Sequence, residues 1–284
     1  MFIVKRFSYR ALKDIKKLSV NSKRFSILNE NFYNHFTSLS IVKKIFIGSK
    51  VKLFTYNKSI IGYMWYEEMY NKAYIIRDLV VNSDYEYNVK LSLKDYFKKA
   101  LFIYECINEK NNNKVLVSLG FNERNETYLL VKENICNESE IDIEGVCFEC
   151  FIRNKHEYIR CDLQNSIFEA ETRVPLSVED IFFDEIQEYY LDDCSILMKL
   201  NHKYIGYGQI ICSNNMYTIV NLGIISEFRG LGYSKMLVRN LINIANKKGI
   251  DKIYIRVNKN NQIARRLYES LEFKYINKII TWEQ

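Results

Sequence analysis

Asn221-Leu222-Gly223-Ile224-Ile225-Ser226-Glu227-Phe228-Arg229-Gly230-Leu231-Gly232-Tyr233-Ser234 begins as an apolar run and ends in a glycine-bearing turn. Traced back to Met216 the run is β-branched and apolar, which predicts a strand over 216–225. Past the turn, Gly232 to Lys248 sets Leu237, Leu241, Ile244 and Ala245 on one stripe and closes on Lys247-Lys248-Gly249, which predicts a helix. A turn between strand and helix exposes backbone N–H groups and the positive end of the helix dipole, and its glycines let an anion come close. Residues Arg229, Gly230, Gly232, Tyr233, Ser234 and Lys235 are therefore candidates for holding a phosphate. Taken alone, such a turn fits an ordinary strand-to-helix connection equally well.

Working outward, Lys252 to Val257 predicts a strand. Asn261 opens a helix with Ala264, Leu267, Tyr268 and Leu271 on one face, and Phe273 to Trp282 predicts a final strand. Upstream, the uncharged run Tyr204 to Ser226 is long enough to span a membrane, but Gln209, Ser213, Asn214, Asn215 and Asn221 interrupt it. Two strands joined by a turn fit it better. Strands alternating with helices give an α/β or α+β sheet domain.

The same order occurs earlier in the chain. Ile61-Gly62-Tyr63 followed by Asp78-Leu79-Val80-Val81-Asn82-Ser83-Asp84-Tyr85-Glu86 matches Ile205-Gly206-Tyr207 followed by Asn221 to Arg229. Ile103-Tyr104 through Asn108 to Asn111 parallels Ile253-Tyr254 through Asn258 to Asn261, and Ser118-Leu119-Gly120-Phe121 parallels Ser270-Leu271-Glu272-Phe273. Four matched blocks in one order indicate a duplicated domain. The acidic, turn-rich Lys132 to Gly145 is the joint, dividing the chain into 1–135 and 136–284.

Arg229-x-x-Gly232-x-Ser234 after a strand, then Asn261-x-x-Ala264-x-x-x-Tyr268-Glu269 and Leu271-Glu272-Phe273, resembles the GCN5-related N-acetyltransferase (GNAT) superfamily. The resemblance covers 196–282 clearly, and the whole chain is similar to tandem-domain members of the mycothiol synthase type. It implies two GNAT-like domains, each a mixed, mainly antiparallel sheet flanked by helices. It also implies acetyl-CoA as cosubstrate and transfer of its acetyl group to a primary amine. On that reading the Arg229 to Lys235 turn takes the pyrophosphate, and Leu222 and Ile224 offer a strand edge to the pantetheine arm. The Ile224 N–H receives the oxyanion, Asn261 belongs to the cofactor site, and Tyr268 gives a proton to the departing thiolate. Two positions depart from the family pattern: Ser234 stands where Gly or Ala is usual, and Glu272 where a Gly precedes the Phe. The predicted strand 216–225 holds no carboxylate to act as base and has Asn221 at the relevant place, leaving water or Glu171. The first copy has Asp78 there but Glu86-Tyr87-Asn88-Val89 in place of the glycine turn, so it is expected to have lost the cofactor.

Composition agrees with a globular chain: 284 residues, 48% hydrophobic, with 10 Gly and one Pro, which excludes collagen-like and linker-like classes. Seven scattered cysteines suit reduced thiols, and Cys147-Phe148-Glu149-Cys150 lacks the second ligand pair a zinc site needs, so no metal is expected. The start, MFIVKRFSYR, has no long apolar core, and the expected location is cytoplasmic. Residues 1–140 carry +8 and 141–284 carry −1, but the lysines are dispersed, so nucleic acid is not expected as a partner, nor is a membrane. Within the second copy, 142–193 is acidic, including Glu169, Glu171, Glu179, Asp180, Asp184, Glu185 and Glu188, and 194–284 is basic. That division points to a small cationic amine as acceptor, unless the acids only solvate a helix whose other face is Val178, Ile181, Phe182, Ile186 and Tyr189. The competing functions are a non-catalytic acyl-CoA-binding or interaction protein and an aminoacyl-tRNA-dependent peptidyl ligase.

Overall fold

The computed structural model describes residues 2–21, 30–70, 72–82, 100–139, 143–169 and 173–284. The chain forms two compact units, Met1–Thr127 with Asn277–Gln284, and Tyr128–Ile276. Each has a mixed, mainly antiparallel sheet flanked by helices.

In the first unit the strand order is β1 (Phe2–Arg6), β2 (Val51–Tyr56), β3 (Ser59–Tyr70), β4 (Ala73–Val81), β5 (Leu101–Ile107) and β12 (Lys274–Glu283). Only the β4 to β5 pairing is parallel. The helices are α1 (Leu12–Asn21), α2 (Phe32–Ser38), α3 (Ile41–Ser49) and α4 (Lys110–Ser118). Alternation along the strands builds two cores. Tyr63, Trp65 and Val80 pack with Ile15, Phe32 and Phe36 from α1 and α2. Met64 and Leu79 pack with Val115 and Leu116 from α4.

The second unit repeats this with β6 (Asn122–Glu133), β11 (Lys252–Asn258), β10 (Met216–Ile224), β9 (Lys203–Ser213), β8 (Tyr190–Leu200) and β7 (Val146–Cys150). Here the β10 to β11 pairing is parallel, and it covers only Thr218–Tyr254 and Ile219–Ile255. Around the sheet lie α5 (Glu157–Ile167), α6 (Val178–Glu185), α7 (Tyr233–Lys247) and α8 (Gln262–Glu269). Ile196 and Met198 of β8 join Leu237, Leu241 and Ala245 of α7 in the main core. Leu197 points the other way, to Leu163 and Ile167 of α5. Each such buried Leu or Ile contributes roughly 1.5–3 kcal/mol, so the central sheet is fixed from both faces.

Two-residue loops with Asn at their start make the hairpins: Asn57-Lys58, Asn201-His202 and Asn214-Asn215 all have positive φ, which matches the twist of the flanking strands. The uncharged run Tyr204 to Ser226 is thus mostly a hairpin. No helix among the described residues is long and apolar enough to cross a membrane.

The units depart from a simple division at Ile135 and Cys136. β6 passes from the first unit to the second between Thr127 and Tyr128, and β12 passes back between Ile276 and Asn277. Each unit is completed by a strand from the other half of the sequence. Ile280 and Trp282 sit in the core of the first unit, and Leu130 in that of the second.

Candidate active site

The strand that carries the site, β10, is interrupted by a bulge. Its register with β9 shifts between Val220 and Gly223, where Asn221 adopts φ 53°. Beyond the bulge Ile225 N–H donates to Ile205 O at 2.9 Å. Hydrogen-bonded positions alternate in an antiparallel pair, so Ile224 and Leu222 turn their amides away from β9, toward the side where β11 has diverged. The divergence opens a cleft of about 470 Å³ lined by Ile219 to Leu222 of β10, Ile255 to Asn258 at the end of β11, and Asn261, Ala264 and Tyr268 of the following segment. Phe168 and Arg173 close it from the connection after α5.

Gly223 lets α5 approach the strand. A Cβ there would come within 2.1 Å of Ile167 Cγ2, so only glycine lets the end of α5 lie against β10. Arg229 secures the same junction, its Nε donating to Ile224 O at 2.9 Å and Nη2 to Ile167 O at 2.6 Å. The Arg229 guanidinium therefore positions the loop, and the anion donors lie further on. After one 3-10 turn, Ser226–Phe228, α7 starts at Gly232 with φ 87°. The first helical bonds run from Lys235 and Met236 N–H to Gly232 O, leaving the Gly232, Tyr233 and Ser234 amides outside the helix ladder. A Cβ on Gly230 or Gly232 would meet no atom within 4 Å, so glycine there answers to a positive φ and not to a close neighbour.

Tyr268 is brought to the cleft by α8, whose cap is Asn261 accepting from Ala264 N–H at 3.0 Å. Its ring packs on Phe273 with centroids 6.1 Å apart and is 7% exposed. Burial pushes the phenol up to about 12. No group among the described residues takes its hydroxyl. The departure at Glu272 also has a structural answer: the residue takes φ 66°, where Gly120 sits in the first copy with φ 89°, and its carboxylate meets buried Lys132 at 2.9 Å.

Of the sequence-predicted residues, the cleft thus gathers Leu222, Asn261 and Tyr268. Ile224 is the next edge position along β10, and Arg229 to Lys235 follow that strand's end outside the lining. No carboxylate lines the cleft among the described residues. Glu171 and Glu86 to Val89 lie outside the described residues. Asp78, the first copy's counterpart of Asn221, is buried and accepts from Tyr63 Oη at 2.8 Å and Phe32 N–H at 2.9 Å, a role in the fold.

A buried polar chain leads away from Asn221. Its Nδ2 donates to Gln209 Oε1 at 3.4 Å, which also accepts from Tyr207 Oη at 2.7 Å. Gln209 Nε2 donates to Asp184 Oδ2 at 3.5 Å, and Asp184 accepts from Tyr189 Oη at 2.6 Å and from Arg160. Arg160 is 1% exposed. Sequence reading placed Asp184 in an acidic surface and passed over Arg160, because the basic partner stands far off in sequence on α5. Removing one member strands the other's charge, so Arg160→Leu is expected to lower unfolding free energy by ~3–5 kcal/mol, read from urea midpoints at unchanged slope. The α6 stripe is also only half realised: Ile181 is buried, while Phe182 and Ile186 are exposed.

Residues 161–273 match the family model described as Acetyltransferase (GNAT) family. Over 83 residues the chain is 37% identical to the ribosomal protein bS18-alanine N-acetyltransferase of Haemophilus ducreyi, covering 27% of this chain and 57% of the relative. The Haemophilus influenzae protein of that name is 30% identical over 79 residues, covering 27% and 52%. The chain therefore spans about half the length of the curated relatives it matches. Among solved structures, a GCN5-related N-acetyltransferase from Sphaerobacter thermophilus superposes with a TM-score of 0.71 at 11% identity, covering 100% of this chain and 95% of that one. A tandem GNAT protein from the clavulanic acid biosynthesis pathway gives 0.65 at 7%, covering 100% and 98%. At such identities these structures speak for the fold alone.

Proposed function

With residues 161–273 as its GNAT domain, we propose that the chain is an acetyl-CoA-dependent N-acetyltransferase whose one active site is the cleft of the second unit. The observation that carries this reading is the β10 edge at Leu222 and Ile224, which turns away from β9 toward the cleft that Leu222 and Tyr268 line. Acetyl-CoA would supply the activated acyl group and the thiol leaving group. The Gly232, Tyr233 and Ser234 amides, at a helix N-terminus, fit a pyrophosphate. Leu222 offers its amide and carbonyl to an extended amide-bearing arm as another strand would. The Ile224 N–H faces the same edge and would donate to the oxyanion formed when an amine attacks the thioester. The Ile224 carbonyl accepts from Arg229, which fixes the Ile224–Ile225 peptide, the next one along the edge.

The acceptor is a primary amine, and the cleft narrows its kind. The acids that pointed to a small cationic molecule are partly engaged elsewhere: Asp180 closes the α6 capping box with Ser177, Asp184 pairs with Arg160, and Glu185 is buried. Arg173 and Arg256 line the cleft instead. Without a carboxylate base, and next to cations, the site suits an amine already partly neutral near pH 7, as an α-amino group is. The named relatives modify alanine of a ribosomal protein, in keeping with that class.

Thiol release from acetyl-CoA, followed across α-amino peptides, amino sugars and polyamines, tests the assignment. Acetyl-CoA bound without turnover on any amine would make the chain an acyl-CoA-binding protein. One cofactor per chain is expected by calorimetry, and two would show that the first unit also binds it. Gly232→Glu is expected to weaken acetyl-CoA binding at least ~10²-fold, by setting a carboxylate where the pyrophosphate belongs and straining a positive φ. The loss would be read as disappearance of the cofactor-induced rise in Tm.

A further inference from the structure

Helix α3 has its apolar residues on the outside. Ile41, Val42, Ile45 and Phe46 fall within an arc of about 140° at 100° per residue and are exposed, from 63% for Phe46 to 78% for Val42. Ile47 and Gly48 make the inward contact, Ile47 against the core and Gly48 beneath the Phe7 ring. A surface helix ordinarily points such a stripe at the core, so this reversal is a binding feature by its pattern. Beside it runs a groove of about 420 Å³ lined by Arg6, Phe7, Tyr9, Lys44, Ile45, Gly48, Ser49 and Lys52. Three cations and no acid line it among the described residues. Lys52 is held below the usual lysine pKa by burial and by the Arg6 charge. Lys50 lies over the exposed Phe46 ring, 4.2 Å from its centroid. From Asn31 to Tyr66 the sequence has Lys43, Lys44, Lys50, Lys52 and Lys58 and no Asp or Glu.

We propose that α3 and the adjoining cationic groove dock the first unit on the surface of an anionic phospholipid bilayer. Ile41, Val42, Ile45 and Phe46 enter the acyl boundary, while Arg6 and Lys44 meet headgroup phosphates. Charge argues against a second copy in a symmetric contact, because the same lysines would face each other. The aliphatic character of the face, with one Phe and no Trp, is unlike the centre of a protein-binding hot spot. Such docking is independent of the acetyltransferase reading, since the test follows binding and not turnover.

The intact protein is sedimented with phosphatidylcholine vesicles and with an equal mixture of phosphatidylcholine and phosphatidylglycerol. Partitioning onto the mixed vesicles is expected to exceed that onto phosphatidylcholine by more than ~10-fold and to weaken with salt. Lys44→Ala should lower it about fivefold. Phe46→Asp should lower it ~10-fold or more at unchanged Tm, its side chain being exposed. Equal or absent binding to both vesicles would overturn the proposal. So would full competition by inorganic phosphate, which would make the groove a site for a soluble anion. A dimer that Phe46→Asp dissolves, without lipid binding, would assign the face to a second copy.

Discussion

Tyr268→Phe is expected to lower kcat about 10²-fold while leaving acetyl-CoA affinity and Tm close to those of the parent protein. The ring keeps its contact with Phe273, and the lost hydroxyl has no partner among the described residues, so little folding energy goes with it. What goes is one donor on a residue that lines the cleft. A phenol pushed up to about 12 does not surrender its proton outright to a thiolate whose conjugate acid lies near 8.5. It stays protonated and hydrogen-bonds the charge growing on sulfur, an interaction stronger in the transition state than before it. Loss of such a donor costs roughly 2.7–4 kcal/mol, hence the size of the effect. The raised value also fixes the pH response: Tyr268 remains a donor until pH approaches 12, so no alkaline fall in rate below about pH 11 belongs to it. An unchanged kcat in steady-state thiol release would return Tyr268 to the core as an ordinary aromatic.

Much of the second unit was legible because its signals are local. The stripe Leu237, Leu241, Ala245 and the Asn261 cap are read within one turn of helix, and α7 and α8 form where that pattern places them. The glycine turn and Tyr268 were legible for the same reason. The strand exchange was not. Phe273 to Trp282 reads as a closing strand for the second copy, and two equivalent sheets offer equivalent slots. Which slot a strand fills depends on contacts such as Trp282 in the first core, which no periodicity reveals. Nor does sequence show that Arg229 would spend its guanidinium on Ile224 and Ile167 carbonyls, since a basic residue before a glycine turn reads as a phosphate ligand. The link from Asn221 through Gln209 to Asp184 escaped for a similar reason: its members lie on β10, β9 and α6, and only the folded sheet brings them together.

The acceptor's own basicity should govern the pH dependence of kcat/KM. No carboxylate lines the cleft among the described residues, and Asn221, at the bulge, cannot take a proton. Attack requires a neutral amine, so the enzyme must wait for that form from solution. For an alkylamine of pKa about 10.4, kcat/KM is expected to climb about tenfold per pH unit from 6 to 9. For an α-amine of pKa about 7.7–8.0 the climb should level off near pH 8. At pH 7 the neutral fractions differ by about 10²-fold or more, and kcat/KM for an α-amino dipeptide should exceed that for a polyamine by a similar factor. Asn221→Asp would set a carboxylate in the cleft without new backbone strain, because Asp tolerates positive φ nearly as well as Asn. Its expected effect is a shallower slope and a gain of about tenfold for the polyamine at pH 7. A polyamine profile already flat between pH 6 and 9 in the parent enzyme would mean that a base reaches the amine after all. Glu171 would then be the first residue to replace.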